Sequence, residues 1–283
     1  MPEVDRKWLT LIVVCVAVFM LLLDITIVNV ALPDIGRALH ADFSDLQWVV
    51  DAYSLTLAAC LLTAGSLGDL LGRRRIFVVG LAIFSLASLA CGLSDSSTLL
   101  NLMRGVQGIG GAVMFAQSLA LIADSFQGRE RGTAFGIWGA TVGASVAVGP
   151  LIGGVLTESA GWEWVFFVNV PVGVLAIVLA LRYISENRDP NAPGIDWPGL
   201  VTFSGGLFLL VFALIRGNPE GWGSTMIVAM LTAAVLLLVA FFVVEARVSN
   251  PMLDLSLFRV PTFVGASIAP SACRRRCSRC SST

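Results

Sequence analysis

The sequence predicts an all-α integral membrane protein, and three observations carry that prediction. Of 283 residues, 57% are hydrophobic and 13% charged, against roughly 45–50% and 25% in ordinary soluble domains. The apolar residues fall in repeated blocks of about 20, the length that crosses a bilayer as helix. Lys and Arg collect in alternate connections between those blocks, the pattern that retention of positive charge in the cytoplasm produces. Eighteen basic against 19 acidic residues give no cationic field to hold phosphates, which excludes nucleic acid as a partner.

Polar punctuation places the blocks near 9–32, 47–67, 76–94, 98–122, 132–157, 164–182, 198–216 and 225–244, eight helices in all. The first block is too long for a signal h-region, contains Asp24 and is followed by no small-x-small site, so it is expected to be a span. Blocks 1 to 6 are expected to form a bundle over residues 1–190. Two groups of three helices in inverted orientation are one way to build it, as in many secondary transporters. A connection rich in turn residues, 187–196, leads to two uncharged linker spans within 191–245. Residues 246–269 hold a further connection and an incipient ninth helix from Pro261 to Ala269. The Arg/Cys/Ser-rich segment 270–283 then cuts this helix off at about a third of the length a span requires.

Orientation follows from the short connections. Arg6, Lys7, Arg73, Arg74, Arg75, Arg129, Arg131, Arg182, Arg188, Arg247 and Arg259 fall on one side, while Arg37 and Arg216 fall on the other. The amino terminus is therefore expected in the cytoplasm, with multiple passes through the membrane. Cys15, Cys60 and Cys91 lie within apolar blocks and act there as small hydrophobes. Cys273, Cys277 and Cys280 lack the fourth ligand and paired spacing of a structural zinc site, so no metal or cofactor is expected.

Charges at membrane depth cost at least ~2.5–3.5 kcal/mol each, and Asp24, Asp51 and Arg104 need a reason to be there. At 1.5 Å per residue, Asp24 lies about 12 Å and Asp51 and Arg104 roughly 7 Å below the outer ends of their helices. All three are expected together in the outer half of the bundle, as an ion or substrate path or as a structural ion pair. At 100° per residue, Arg104, Gln107, Gly108, Gly111 and Ser118 share one stripe of the fourth helix. Asp51, Ser54, Ala58 and Gly65 share one of the second, and both stripes are expected inside the bundle. Thr26 and Asn29 point away from Asp24, so the first helix is expected to be surrounded on more than one side. On the fifth helix Gly132, Gly136, Gly139, Gly143, Pro150 and Gly153 or Gly154 are expected on one face, a groove that admits a neighbouring helix, with Pro150 bending its outer part. Gly108 to Gly111 lies mid-span with no preceding strand, which excludes a dinucleotide loop. His40 is expected to be a solvated connection residue. No nucleophile–base or metal constellation accompanies it, so an enzyme is not expected.

Several segments together resemble the major facilitator superfamily, specifically its 14-helix drug:proton antiporter branch. Leu23 to Pro33 resembles that branch's first-helix signature, Gly65 to Arg75 the loop motif between helices 2 and 3, and Arg104 to Ala112 the fourth-helix motif with its membrane arginine. Gly143 to Gly154 resembles the fifth-helix antiporter motif, Trp162 to Gly173 the start of helix 6 and Asp196 to Gly199 the start of helix 7. Glu163 and Asp51 depart from the residues frequent in relatives. The resemblance covers about residues 8–268. Because 17 of the 18 basic residues are arginine, a shifted frame in GC-rich DNA is the expected origin of the tail, and the chain is expected to be an incomplete member of the family.

The resemblance implies a proton-coupled efflux transporter, an antiporter, of the bacterial plasma membrane. Its implied partners are protons, the lipid bilayer and a small substrate, apolar or cationic. Asp24, Arg104 and Asp51 would serve proton coupling. Gly65, Asp69, Gly72, Arg73 and Arg74 would form a cytoplasmic gate. Gly143, Gly149, Pro150, Gly153 and Gly154 would form the helix-5 antiporter motif, and Asn29 and Gln107 would line the substrate cavity. A non-transporting membrane fragment is the alternative.

Overall fold

A computed structural model of the chain describes residues 3–187 and 197–247. Among them, α1 (Glu3–Leu39), α2 (Phe43–Leu71), α3 (Arg73–Gly92), α4 (Ser97–Ser125) and α5 (Gly128–Ala160) are followed by α6 (Trp164–Phe167), α7 (Asn169–Tyr183), α8 (Trp197–Glu220) and α9 (Thr225–Glu245). Eight helical spans are long and apolar enough to cross a membrane, α6 and α7 together making the sixth. The expected ninth helix and the tail 270–283 lie outside the described residues.

The helices overrun the apolar blocks because helical hydrogen bonding does not stop where hydrocarbon does. The 37 residues of α1 make about 55 Å of helix against a hydrocarbon core of about 30 Å, so its charged ends emerge from the membrane as helix. Local chemistry sets the breaks. Asp42 accepts from the Asp45 N–H at 2.8 Å to cap α2, and Ser96 and Ser224 cap α4 and α9 in the same way. Gly72, at φ 104°, separates α2 from α3, and Gly161, at φ 100°, ends α5; both are conformations that a side chain would strain. His40 is exposed at the α1–α2 turn, as its position in the sequence suggests.

One break was not expected. The sixth span is interrupted at Val168, between α6 and α7. Pro171 accounts for it, because a proline has no N–H to give and its ring crowds the carbonyl four residues back. That carbonyl belongs to Phe167, the last residue of α6.

α4 packs on α2 and α3, α1 on α5 and α7, and α3 on α7. Glycines set how closely. A Cβ on Gly110 would lie 2.6 Å from the Phe84 backbone nitrogen, and one on Gly108 would lie 2.4 Å from the Tyr53 carbonyl oxygen. Thr56 Oγ1 crosses the α2–α4 seam to the Gly105 carbonyl at 2.8 Å. Val14, Ala17, Val18, Ile27, Val28 and Ala31 are fully buried along α1, which is therefore enclosed on several sides. α8 and α9 pair with each other and lean on α2 through Thr63–Ser204 at 3.0 Å and the Trp48 and Phe212 rings.

The expected single glycine face of α5 is two faces. Gly149 packs against Thr26, and a Cβ on Gly153 would lie 3.1 Å from the Ile27 Cα. Gly132, Gly136, Gly139, Gly143 and Gly154 have nothing within 4 Å of a Cβ position. The reason is angular: at 100° per residue, position 149 sits about 80–140° and position 153 about 40–100° around the helix from the others, enough to turn them onto α1. α5 runs unbroken through Pro150, which is exposed.

Candidate functional site

Near the middle of the bundle, α1, α2, α3, α4 and the α6–α7 break bring their few polar groups to one point. Arg104 Nη1 donates to Asp24 Oδ2 at 2.6 Å, with 1% and 0% of the two side chains exposed. The same nitrogen donates to Gln107 Oε1 at 2.7 Å, and Arg104 Nε donates to the Val49 carbonyl at 2.9 Å. Gln107 Nε2 donates to Asp24 Oδ1 at 3.1 Å and Asn169 Nδ2 to the same oxygen at 2.8 Å. The Tyr53 ring lies under the guanidinium, 4.2 Å from Cζ to centroid, a cation–π contact worth about 2 kcal/mol when desolvated. Cys91 Sγ closes the cluster at 3.8 Å from Gln107 Oε1.

This arrangement neutralises two charges that hydrocarbon would otherwise exclude. Asp24 and Arg104 meet as their helical positions indicate. Gln107, expected along a substrate cavity, is instead fully buried in this cluster, because the same helical stripe that aims Arg104 at Asp24 aims residue 107 there too. Asn169, Ser88 and Tyr53 escaped the sequence reading. The one available signal was a lone amide and a proline closing an apolar run at 169–171.

Asp51 is not in the cluster. Together with Asn29 it lines an apolar cleft of about 400 Å³ between α1 and α2, walled by Leu32, Pro33, Leu46 and Val50. Asp51 stands two residues from Val49, which faces Arg104, and two residues on a helix is a turn of about 200°. Asn29 Nδ2 donates to the Ile25 carbonyl at 2.8 Å. The stripe through Ser54, Ala58 and Gly65 is likewise only partly covered, with Ser54 exposed.

A second charged cluster lies at the arginine-rich end. Arg73 binds Asp69 at 2.7 Å and Asp124 at 2.5 Å; Glu186 lies 3.5 Å from Arg74 and 3.4 Å from Arg75. The Arg74 N–H also donates to Glu186 Oε1 at 3.2 Å. Gly72 is buried under that carboxylate: a Cβ there would lie 2.5 Å from Glu186 Oε1. Beside it, Gln117 Nε2 donates to the Ala64 carbonyl at 2.5 Å and packs onto Gly68. Gly65 has open space at its Cβ position. The sequence motif thus supplies Asp69, Gly72, Arg73 and Arg74, while Gln117 and Asp124 come from α4 and Glu186 from the segment after α7, distant along the chain.

Residues 14–275 match the family model described as Major Facilitator Superfamily. The chain belongs to this superfamily. It is 44% identical over 262 residues to the tetracenomycin C resistance and export protein of Streptomyces glaucescens, covering 92% of this chain and 49% of that protein. It is 42% identical to the multidrug resistance protein Stp of Mycobacterium tuberculosis (strain CDC 1551 / Oshkosh), covering 89% and 47%. The puromycin resistance protein pur8 of Streptomyces alboniger is 41% identical, with 88% and 49% covered. The chain thus spans about half the length of these superfamily relatives. A crystal structure of a peptide transporter, POT, in complex with sulfate shares the fold at a TM-score of 0.60 and 14% identity, over 86% of this chain and 52% of that one.

Proposed function

We infer that this chain supplies the amino-terminal half of a proton-coupled efflux transporter of the bacterial plasma membrane, an antiporter that exchanges protons for small apolar or cationic molecules. The observation that carries this reading is the fully buried Asp24–Arg104 pair. Protonating Asp24 removes the counter-charge of Arg104, and an uncompensated buried charge costs about 3–5 kcal/mol. Such an imbalance is enough to move a bundle between two states a few kcal/mol apart. Each proton entering brings about 2.3 kcal/mol per 100 mV of membrane potential. Asp51 is the second proton-coupling acid in this reading, and with Asn29 it offers a carboxylate in an apolar cleft that suits a lipophilic cation.

With the amino terminus in the cytoplasm, the pairs of Arg73 with Asp69 and Asp124, and of Arg74 with Glu186, form the cytoplasmic gate. Charge-assisted contacts of this kind hold the end closed until proton or substrate shifts the balance. The names of the relatives, which speak of drug resistance and export, support efflux as the direction.

The test is to fuse the chain to the carboxy-terminal half of the tetracenomycin C relative and follow efflux of a cationic dye from energised vesicles. Efflux stopped by an uncoupler and by Asp24→Asn is expected; efflux indifferent to the uncoupler refutes proton coupling.

A further inference from the structure

We propose that Asn169 and Ser88 form a switch that carries the protonation state of Asp24 to the break in the sixth span. The proposal rests on the reading of Asp24 as the proton carrier. Asn169 is fully buried, and both hydrogens of its amide are committed: one to Asp24 Oδ1 at 2.8 Å, the other to Ser88 Oγ at 3.0 Å. Ser88 in turn donates its hydroxyl to the Phe166 carbonyl at 2.9 Å, in the short helix before the break. Asn169 Oδ1 is left buried with no hydrogen-bond partner.

That pattern belongs to one protonation state. An ionised carboxylate can only accept, so the amide must turn its nitrogen toward Asp24 and strand its oxygen. Buried polar atoms are rarely left unpaired, and one that is asks for a physical reason. A protonated Asp24 gives that oxygen a donor, and the amide hydrogens take its place in the unpartnered position. The carboxyl's new O–H is a donor, and the amide satisfies it by turning over so that Oδ1 accepts. Ser88, now facing Oδ1 rather than Nδ2, donates to that oxygen and releases the Phe166 carbonyl. One proton is taken up at Asp24 Oδ1, forming one O–H bond and cancelling the carboxylate charge; every other change is an exchange of hydrogen bonds. The charged and titratable groups around Asp24 are Arg104 from α4, Tyr53 from α2 and Cys91 from α3; α7 contributes the neutral amide of Asn169. The carbonyl released lies in α6, two residues before the Val168 interruption. Asn169 and Ser88 are thus positioning residues, acting through Asp24 and on the sixth span.

The experiment uses the purified chain in lipid nanodiscs and acid-minus-neutral infrared difference spectra. The carboxylic C=O band of Asp24 is identified by its absence in Asp24→Asn. In Asn169→Ala that band is expected at higher wavenumber, the mark of an acid that has lost its acceptor. A fluorine-19 resonance of 5-fluorotryptophan at Trp164, assigned with Trp164→Phe, reports the sixth span. It is expected to move on acidification in the unaltered chain and to stay fixed in Ser88→Ala, which removes one small atom and keeps the backbone. An Asp24 band at the same wavenumber with and without Asn169 overturns the switch while leaving Asp24 as a proton carrier. A Trp164 resonance that still moves in Ser88→Ala overturns the link to the sixth span. No acid band separating the unaltered chain from Asp24→Asn overturns the proton-carrier reading itself.

Discussion

Asp24 and Arg104 lie deep among apolar helices and hold each other there, so neither can be removed alone without consequence. Replacing Asp24 by Asn leaves Arg104 buried with its charge unmatched, and a loss of about 3–5 kcal/mol of stability is expected. Replacing both, as Asp24→Leu with Arg104→Met, is expected to restore most of that loss because a pair exchanged for packed apolar groups is often neutral. Thermal unfolding in detergent distinguishes the two. In the fused transporter of full length the double variant is expected to fold and yet export no dye, which separates the pair's role in coupling from its role in folding. The positions of Asp24 and Arg104 could be read from the sequence because each charge interrupts an apolar run and helical rise fixes its depth. Asn169 could not be read so, because its importance comes from the carbonyl and carboxylate it meets, both on other helices.

At the scale of the element, α5 has two glycine faces with different consequences. Gly149→Ala drives a methyl group into Thr26 and is expected to cost about 1–3 kcal/mol, as overpacking does. Gly139→Ala meets open space and should be neutral or stabilising, since alanine is the better helix former by about 1 kcal/mol. Unfolding midpoints of the two variants in one detergent check the difference. Combining Gly149→Ala with Thr26→Ala should recover most of the loss. At the other end, Gly72→Ala combines a φ of 104° with a Cβ placed against Glu186. A loss of about 1–3 kcal/mol is expected from the backbone conformation, and Glu186→Ala should not relieve that share. Sequence periodicity showed that α5 is rich in small residues. Which of them touch α1 depended on a rotation of less than half a turn, and no pattern within one helix records where its neighbour stands.

For the whole molecule, the contacts pair α2 with α4 and α1 with α5, α3 with α4 and α1 with α7, while α3 meets α7 and α1 meets α4. Exchanging the first three spans for the next three maps this set onto itself, the relation expected of two inverted groups of three. Opposite sidedness of alternate turns follows and can be measured. In a chain freed of its own cysteines, Asp95→Cys is expected to react with a membrane-impermeant maleimide in intact cells. Glu130→Cys should react only after permeabilisation. The reverse result would invert the orientation and place the Arg73 cluster outside.

Hydropathy, length and helical rise were enough to read from the chain a membrane protein with eight apolar spans, Asp24, Asp51 and Arg104 inside them, and a charged turn between α2 and α3. Hydropathy, length and rise are local quantities. It took the packing of the helices to turn Asp51 into a cleft away from Arg104, to commit Gln107 to the ion pair and to bring Asn169 to it from the broken sixth span. Each of those outcomes depends on which helix lies beside which and at what rotation, a matter settled by packing between distant segments and not by any one of them.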